Sequence, residues 1–205
     1  TALQGQANTL VEKGKLIEAM PLLKELVKRV EASDNSEIKL DFPIFLIGTG
    51  HIQQYIASKQ TSELSEALRW YDRLEKEFPN SPKIKDMLFK RIDVLRALSN
   101  NNEAIELMQK ILSGGYKNVR LSQSEQVKLL KDLTQIYYST GQLSAGLPYF
   151  GQLFEIARNP EDQALAAAAS FEALFQAERL DDALNLLPRL AKESAVRYRP
   201  RLNVA

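Results

Sequence analysis

The chain has 205 residues, of which 44% are hydrophobic and 26% are charged, as in folded globular proteins. Its 27 lysines and arginines nearly balance 26 aspartates and glutamates, and this argues against a dedicated surface for nucleic acid or anionic membranes. Cysteine is absent, so disulfides, thiol catalysis and thiolate metal sites are excluded.

Helical periodicity dominates the chain from its beginning. In residues 15–30, apolar side chains recur at three- and four-residue steps, as in an amphipathic helix. Pro21 interrupts this run and either lies in the first turn or kinks the helix. The apolar residues 42–52 are fewer than the ~18 of a membrane span and predict a buried helix. Similar stripes follow in residues 63–78, 86–98, 127–138 and 180–193. With no strand-like alternation anywhere, the sequence predicts an all-α fold.

Residues 78–82 read FPNSP and separate two of these predicted helices. We expect Pro79 to stop the first helix, because proline has no N–H and clashes with the preceding turn. Asn80 or Ser81 is expected to cap the next helix, with Pro82 in its first turn. The break is therefore predicted to be a joint between two helix pairs.

A repeat appears when a small residue early in each second helix is aligned, at intervals of roughly 40 residues. The small residues are Ala19, Ala67, Ala104, Gly146 and Ala183; Leu23, Tyr71, Met108, Phe150 and Leu187 lie four positions later, and Leu26, Leu74, Ile111, Leu153 and Leu190 seven positions later. Two helices approach closely where one presents a small side chain, and the larger residues fill the space beside it. One such hairpin cannot bury its apolar face alone, so the units are predicted to stack.

This pattern resembles the tetratricopeptide repeat (TPR) family. One stretch carries Tyr137, Gly141, Leu143, Phe150 and Pro160, and another carries Leu64, Ala67, Tyr71, Leu74 and Pro79. The resemblance covers essentially the whole chain and implies one α-solenoid, residues 1–205, wound as a right-handed superhelix. Its five helix-turn-helix units are expected at approximately 1–35, 42–79, 82–116, 122–160 and 161–196.

Two further expectations concern the chain's surroundings. Pro200 followed by Leu202, Val204 and Ala205 predicts that residues 197–205 start a further, truncated helix, and that the native protein continues with more repeats. The FPNSP motif is similar to repeats of bacterial cell-envelope proteins. That similarity favours a bacterial periplasm or cell envelope over the cytoplasm.

The sequence offers no recognisable catalytic constellation. His51 is the single histidine and lies on an apolar segment, so we interpret it as a packed or capping residue. Gly48 and Gly50 lack the Lys-Ser/Thr that completes a phosphate-binding loop. We therefore predict a protein that is not an enzyme and that has no cofactor and no metal site.

The resemblance implies a binding surface on the first helices of successive units, which line a concave groove in TPR proteins. The positions that map to this groove are Gln53, Phe89, Asp93, Arg96, Lys131, Gln135, Tyr138, Glu172 and Phe175. Two alternatives stay open. The aromatic members belong instead to the core between repeats, or Asp93 and Arg96 merely pair with each other on a helix surface.

These observations predict a protein-interaction scaffold that binds a peptide or a partner subunit. We expect no nucleic-acid partner and no direct membrane insertion. The main alternative is a structural spacer whose flanking regions carry the function. A carbohydrate-binding or enzyme-accessory role would require a cluster of exposed aromatic residues, and the single Trp70 lies beside a packing position.

Overall fold

The structure, a computed structural model, describes residues 2–33 and 38–186, which form ten α-helices and no strand. The helices are α1 (Ala2–Glu12), α2 (Leu16–Ala32), α3 (Asp41–Ser58), α4 (Thr61–Glu77), α5 (Ile84–Ala97), α6 (Asn101–Leu112), α7 (Gln123–Ser139), α8 (Leu143–Ile156), α9 (Pro160–Gln176) and α10 (Leu180–Leu184). The all-α prediction is confirmed. The predicted further helix at residues 197–205 lies outside the described residues.

The helices group into two compact units that divide between Leu107 and Met108, inside α6. In unit 1, α1 packs on α2, α3 packs on α4, and the hairpins join through contacts of α2 with α3 and of α4 with α5. In unit 2, α7 packs on α8, α9 packs on α10, and α8 and α7 both contact α9. Helix hairpins stacked on their neighbours are therefore the building principle of each unit.

The small residues aligned in the sequence lie at the helix contacts. Ala19, Ala67, Ala104 and Ala183 are at most 1% exposed, and Gly146 is buried. The described residues four and seven positions later are buried as well: Leu23, Tyr71, Met108, Phe150, Leu26, Leu74, Ile111 and Leu153. Leu187 and Leu190 lie outside the described residues. The predicted packing stripe is confirmed wherever the structure describes it.

Gly48, one of the two glycines in α3, allows close packing of α3 on α4. A Cβ atom added to Gly48 would lie 2.5 Å from Cε1 of Tyr71, which is fully buried on α4. A real Cβ does not approach a ring so closely, so any side chain here would push α3 and α4 apart. The missing side chain thus allows the aromatic ring of the repeat position to lie directly on the α3 backbone.

The joint at residues 78–82 differs in two details from the prediction. Helix α5 begins at Ile84 with Lys83 as its N-cap, so neither Asn80 nor Ser81 caps it, and Pro82 precedes the helix instead of occupying its first turn. The Ser81 hydroxyl accepts a hydrogen bond from the Lys83 N–H at 3.1 Å and donates one to Asp41 Oδ2 at 2.6 Å. Because Ser81 uses its side chain to close this short turn, the helix starts later. Pro21, in turn, lies inside α2 and beyond its first turn.

Candidate partner-binding surfaces

Unit 1 has a cleft between α3 and α5, each of which is the first helix of its helix pair. The cleft has a volume of about 170 Å³. Its walls, which define the α3–α5 cleft, are Ile52, Tyr55 and Ile56 from α3 and Lys90, Asp93 and Ala97 from α5. The buried side chains of Leu64 and Val94 complete the lining. The cleft is therefore apolar at its base.

Two features make the α3–α5 cleft available to a partner. The Ile56 side chain is 61% exposed, although a large aliphatic residue is normally buried. Lys90 and Asp93 stand one helical turn apart on its α5 wall, and neither forms an ion pair with any residue that the structure describes. An apolar anchor with polar groups on the side that faces α5 would match this arrangement.

Of the residues predicted in unit 1, Asp93 lines this cleft. Gln53 is exposed on α3, and Phe89 and Arg96 are half-buried on α5, but none of these three lines the cleft. The sequence reasoning missed Ile52 and Ile56. Their four-residue spacing past the buried part of α3 was the available signal, and only the tertiary structure shows that Ile52 is half-buried and Ile56 is exposed.

In unit 2, the predicted Lys131 makes a contact between helices. Its Nζ lies 2.6 Å from Oδ1 of Asp162, which is buried on α9. A buried carboxylate requires a cation nearby, so this ion pair joins α7 to α9. The geometry gives Lys131 a structural role that its position in the sequence did not reveal.

The predicted aromatic residues of unit 2 remain accessible. Tyr138 on α7 is 40% exposed and Phe175 on α9 is 47% exposed. The Phe175 ring stacks on Phe171, with centroids 6.2 Å apart. Gln135 is exposed on α7, while Glu172 is half-buried on α9. Exposure argues against the alternative in which Tyr138 and Phe175 belong to the core, whereas Phe89 in unit 1 is half-buried.

His51 is packed, as expected, but with a partner that the sequence did not suggest. The ring is buried on α3, and its Nδ1 lies 2.6 Å from Glu63 Oε2 on α4. Twelve residues separate the two in the chain, so helical spacing could not indicate the pair. In residues 2–33 and 38–186, no group of three or more histidines or acids is arranged to hold a metal ion.

None of the described helices is both long and apolar enough to span a bilayer.

Comparison with solved structures gives the class of fold. The chain is similar to MamA from Desulfovibrio magneticus RS-1, with 13% identity, a TM-score of 0.54, and coverage of 92% of this chain and 91% of that one. It is similar to a Podospora anserina kinesin light chain with TPR-like repeats, with 16% identity, a TM-score of 0.53, and 92% of each chain covered. A third similar structure is BtubC from P. vanneervenii, with 14% identity, a TM-score of 0.52, and 96% and 78% covered.

These likenesses establish a TPR-like helical-repeat fold, and the predicted resemblance is confirmed at that level. Identities this low carry the fold and no more. No protein-family model matches the chain, and no curated protein sequence matches it either.

Proposed function

We propose that this protein is a non-catalytic scaffold that binds a peptide or a partner subunit through its first helices. The observation that carries the proposal is the α3–α5 cleft, in which Ile56 is 61% exposed and Lys90 and Asp93 line the α5 wall. Neighbouring apolar side chains in a concave site with a few polar groups are typical of binding sites, and Ile56 lies with Ile52 and Ala97 in such a cleft.

In this cleft, apolar and polar contacts would contribute differently to binding. An apolar side chain of the partner would displace water from Ile52, Ile56 and Ala97, which supplies most of the affinity. Lys90 and Asp93 would hydrogen-bond to polar groups beside that anchor and fix its orientation. In unit 2, the exposed Tyr138 and Phe175 support the same role, since aromatic residues are enriched among the energetically dominant contacts of interfaces.

The experiment is crosslinking and affinity capture from cells of the source organism, with the wild-type chain and two variants. Ile56→Asp places a charge in the cleft, and we expect it to reduce capture of specific partners about tenfold or more. Ile17→Asp is the matched control, because Ile17 is also an exposed isoleucine of unit 1, at 41%, and does not line the cleft.

Equal capture by both variants would contradict binding in the cleft. If neither the wild-type chain nor a variant captures a specific partner, the result favours the spacer hypothesis instead. The proposed compartment, a bacterial cell envelope, is supported only by the FPNSP motif at residues 78–82. Fractionation of cells that carry a tagged full-length gene tests it.

A further inference from the structure

Unit 2 has a second open groove, which runs along α8 and has a volume of about 530 Å³. Leu147, Pro148, Gly151, Glu155 and Ile156 form its α8 wall, and Leu112, Leu121 and Leu130 also line it. Leu130 also belongs to a hydrophobic cluster of unit 2, and the partly buried Ile156 packs against that cluster. The α8 groove is therefore a place where this apolar cluster opens to solvent.

The centre of the α8 wall lacks a bulky side chain. Gly151 is exposed, and a Cβ atom added to it would meet no atom within 4 Å. Pro148 is exposed on the same wall, inside the helix. Proline and glycine are the two least favourable residues in a helix interior. Here they leave room for the backbone of another segment to come close to α8.

The length of the groove suits a helix. From Leu147 to Ile156, α8 advances by about 13.5 Å, and apolar anchors at positions i, i+4 and i+7 of a partner helix span about 10.5 Å. The part of the chain that the structure describes has no strand. A partner therefore cannot dock here by adding a strand to a sheet edge, and packing of side chains into the groove is the available mode.

Charge indicates what the partner carries. Glu155 is exposed on the groove wall and forms no ion pair with any described residue. Among the described residues, no lysine or arginine lines the groove, and Gln126 and Gln152 are its other polar residues. A cation on the partner would meet Glu155 without a competing positive charge.

We propose that the α8 groove binds an amphipathic helix of another protein, with aliphatic side chains at i, i+4 and i+7 and a lysine or arginine beside Glu155. This site is separate from the first-helix surface of unit 2. Leu130 and Tyr138 lie eight residues apart on α7, which places them on faces that differ by about 80°. Variants in the groove therefore leave the first-helix surface intact.

A phage library of randomised 16-residue helix-forming peptides, selected on the purified chain, tests the proposal. We expect the selected peptides to share the three aliphatic positions and a basic residue. Fluorescence anisotropy should then show about tenfold or more weaker binding to Gly151→Leu, which adds a bulky side chain at a groove position where a Cβ atom meets no atom within 4 Å. Glu155→Lys should weaken binding roughly fivefold and favour peptides in which the basic residue is replaced by an acid.

Two matched variants control for nonspecific effects. Ser144→Leu adds the same side chain to an exposed position of α8 outside the groove, and Glu106→Lys makes the same charge change on α6. Both should bind the selected peptides like the wild type, and circular dichroism confirms that every variant is folded.

Three results would overturn the proposal. In the first, the selected peptides show no helical spacing of aliphatic residues. In the second, Gly151→Leu and Glu155→Lys bind them as tightly as the wild type. In the third, the purified chain self-associates and Gly151→Leu makes it monomeric, which assigns the groove to a second copy of the chain.

Discussion

The two units assemble similar helix hairpins with a different balance of the same contacts, since unit 1 also packs the Tyr71 ring on Gly48 and unit 2 also pairs Lys131 with Asp162. In unit 1, polar links join neighbouring helices: His51 to Glu63 at 2.6 Å, and Arg91 of α5 to Asp72 and Glu75 of α4, each at 2.8 Å. These contacts combine charge with hydrogen bonding, so they depend on the groups at both ends.

In unit 2, large rings fill the space between α7 and α8. Tyr137 stacks on Tyr149 with centroids 5.9 Å apart and meets Phe150 edge-on at 6.4 Å. Helix α9 then presents a run of buried alanines, Ala164 and 166–169, at its contacts. Close packing of helices can thus depend on polar pairs or on the fit of side-chain volumes. Loss of a polar partner should weaken the first kind of contact, and loss of side-chain volume the second.

The largest expected effect tests volume in unit 2. Phe150 is fully buried, and Phe150→Ala should lower the free energy of unfolding by about 3–5 kcal/mol because it leaves a cavity. Urea unfolding followed by circular dichroism measures it. The control is Phe175→Ala, where the ring is 47% exposed and the loss should stay below about 1 kcal/mol. Similar losses in both variants would remove volume matching as the distinction of unit 2.

A smaller effect is expected from the polar pairing in unit 1. Glu63→Ala removes the partner of the buried His51 Nδ1, and an unsatisfied buried group lowers the free energy of unfolding by about 1–3 kcal/mol. The fluorescence of Trp70, on α4 and in the same unit, follows the transition. Glu66→Ala is the control on the same helix, since its pair with Arg69 is at the surface and contributes about 0.5 kcal/mol or less. Equal losses of unfolding free energy in the two variants would show that the buried His51–Glu63 pair stabilises the fold no more than a surface ion pair does.

The smallest effect appears only at alkaline pH. Burial raises the pKa of the Tyr71 phenol, which also lies 3.3 Å from the Thr49 hydroxyl. An unfolded tyrosine loses its proton near pH 10, whereas folded Tyr71 keeps it. The free energy of unfolding is therefore unaffected below that pH and falls above it, by about 1.4 kcal/mol per pH unit for this group.

Urea midpoints of the wild type and of Tyr71→Phe at pH 9, 10 and 11 measure this dependence. Phenylalanine keeps the ring against Gly48 but cannot ionise, so the variant should lose less stability between pH 10 and 11. A slope identical to that of the wild type would show that Tyr71 is not responsible.

The helical periodicity and the aligned small residues were sufficient to predict the all-α fold and its buried stripe. Ala67 and Tyr71 illustrate why, because a four-residue spacing places both side chains on one face whatever the helix packs against. The chemistry of proline, which is also local, predicted the break at Pro79. It did not anticipate that α5 begins as late as Ile84, because the Ser81 side chain also binds Asp41, forty residues earlier.

The candidate surfaces depended on the tertiary structure to a greater degree. Lys131 and Tyr138 were indistinguishable in the sequence as groove positions, yet Lys131 pairs with Asp162 and Tyr138 stays exposed. Ile56 matches the spacing of a core residue and is nevertheless open to solvent. The sequence by itself determined which residues form helices and which face of each helix is apolar, since both follow from local spacing. Which partner each face meets was decided by the rotation and register of packed helices, which depend on residues far apart in the chain.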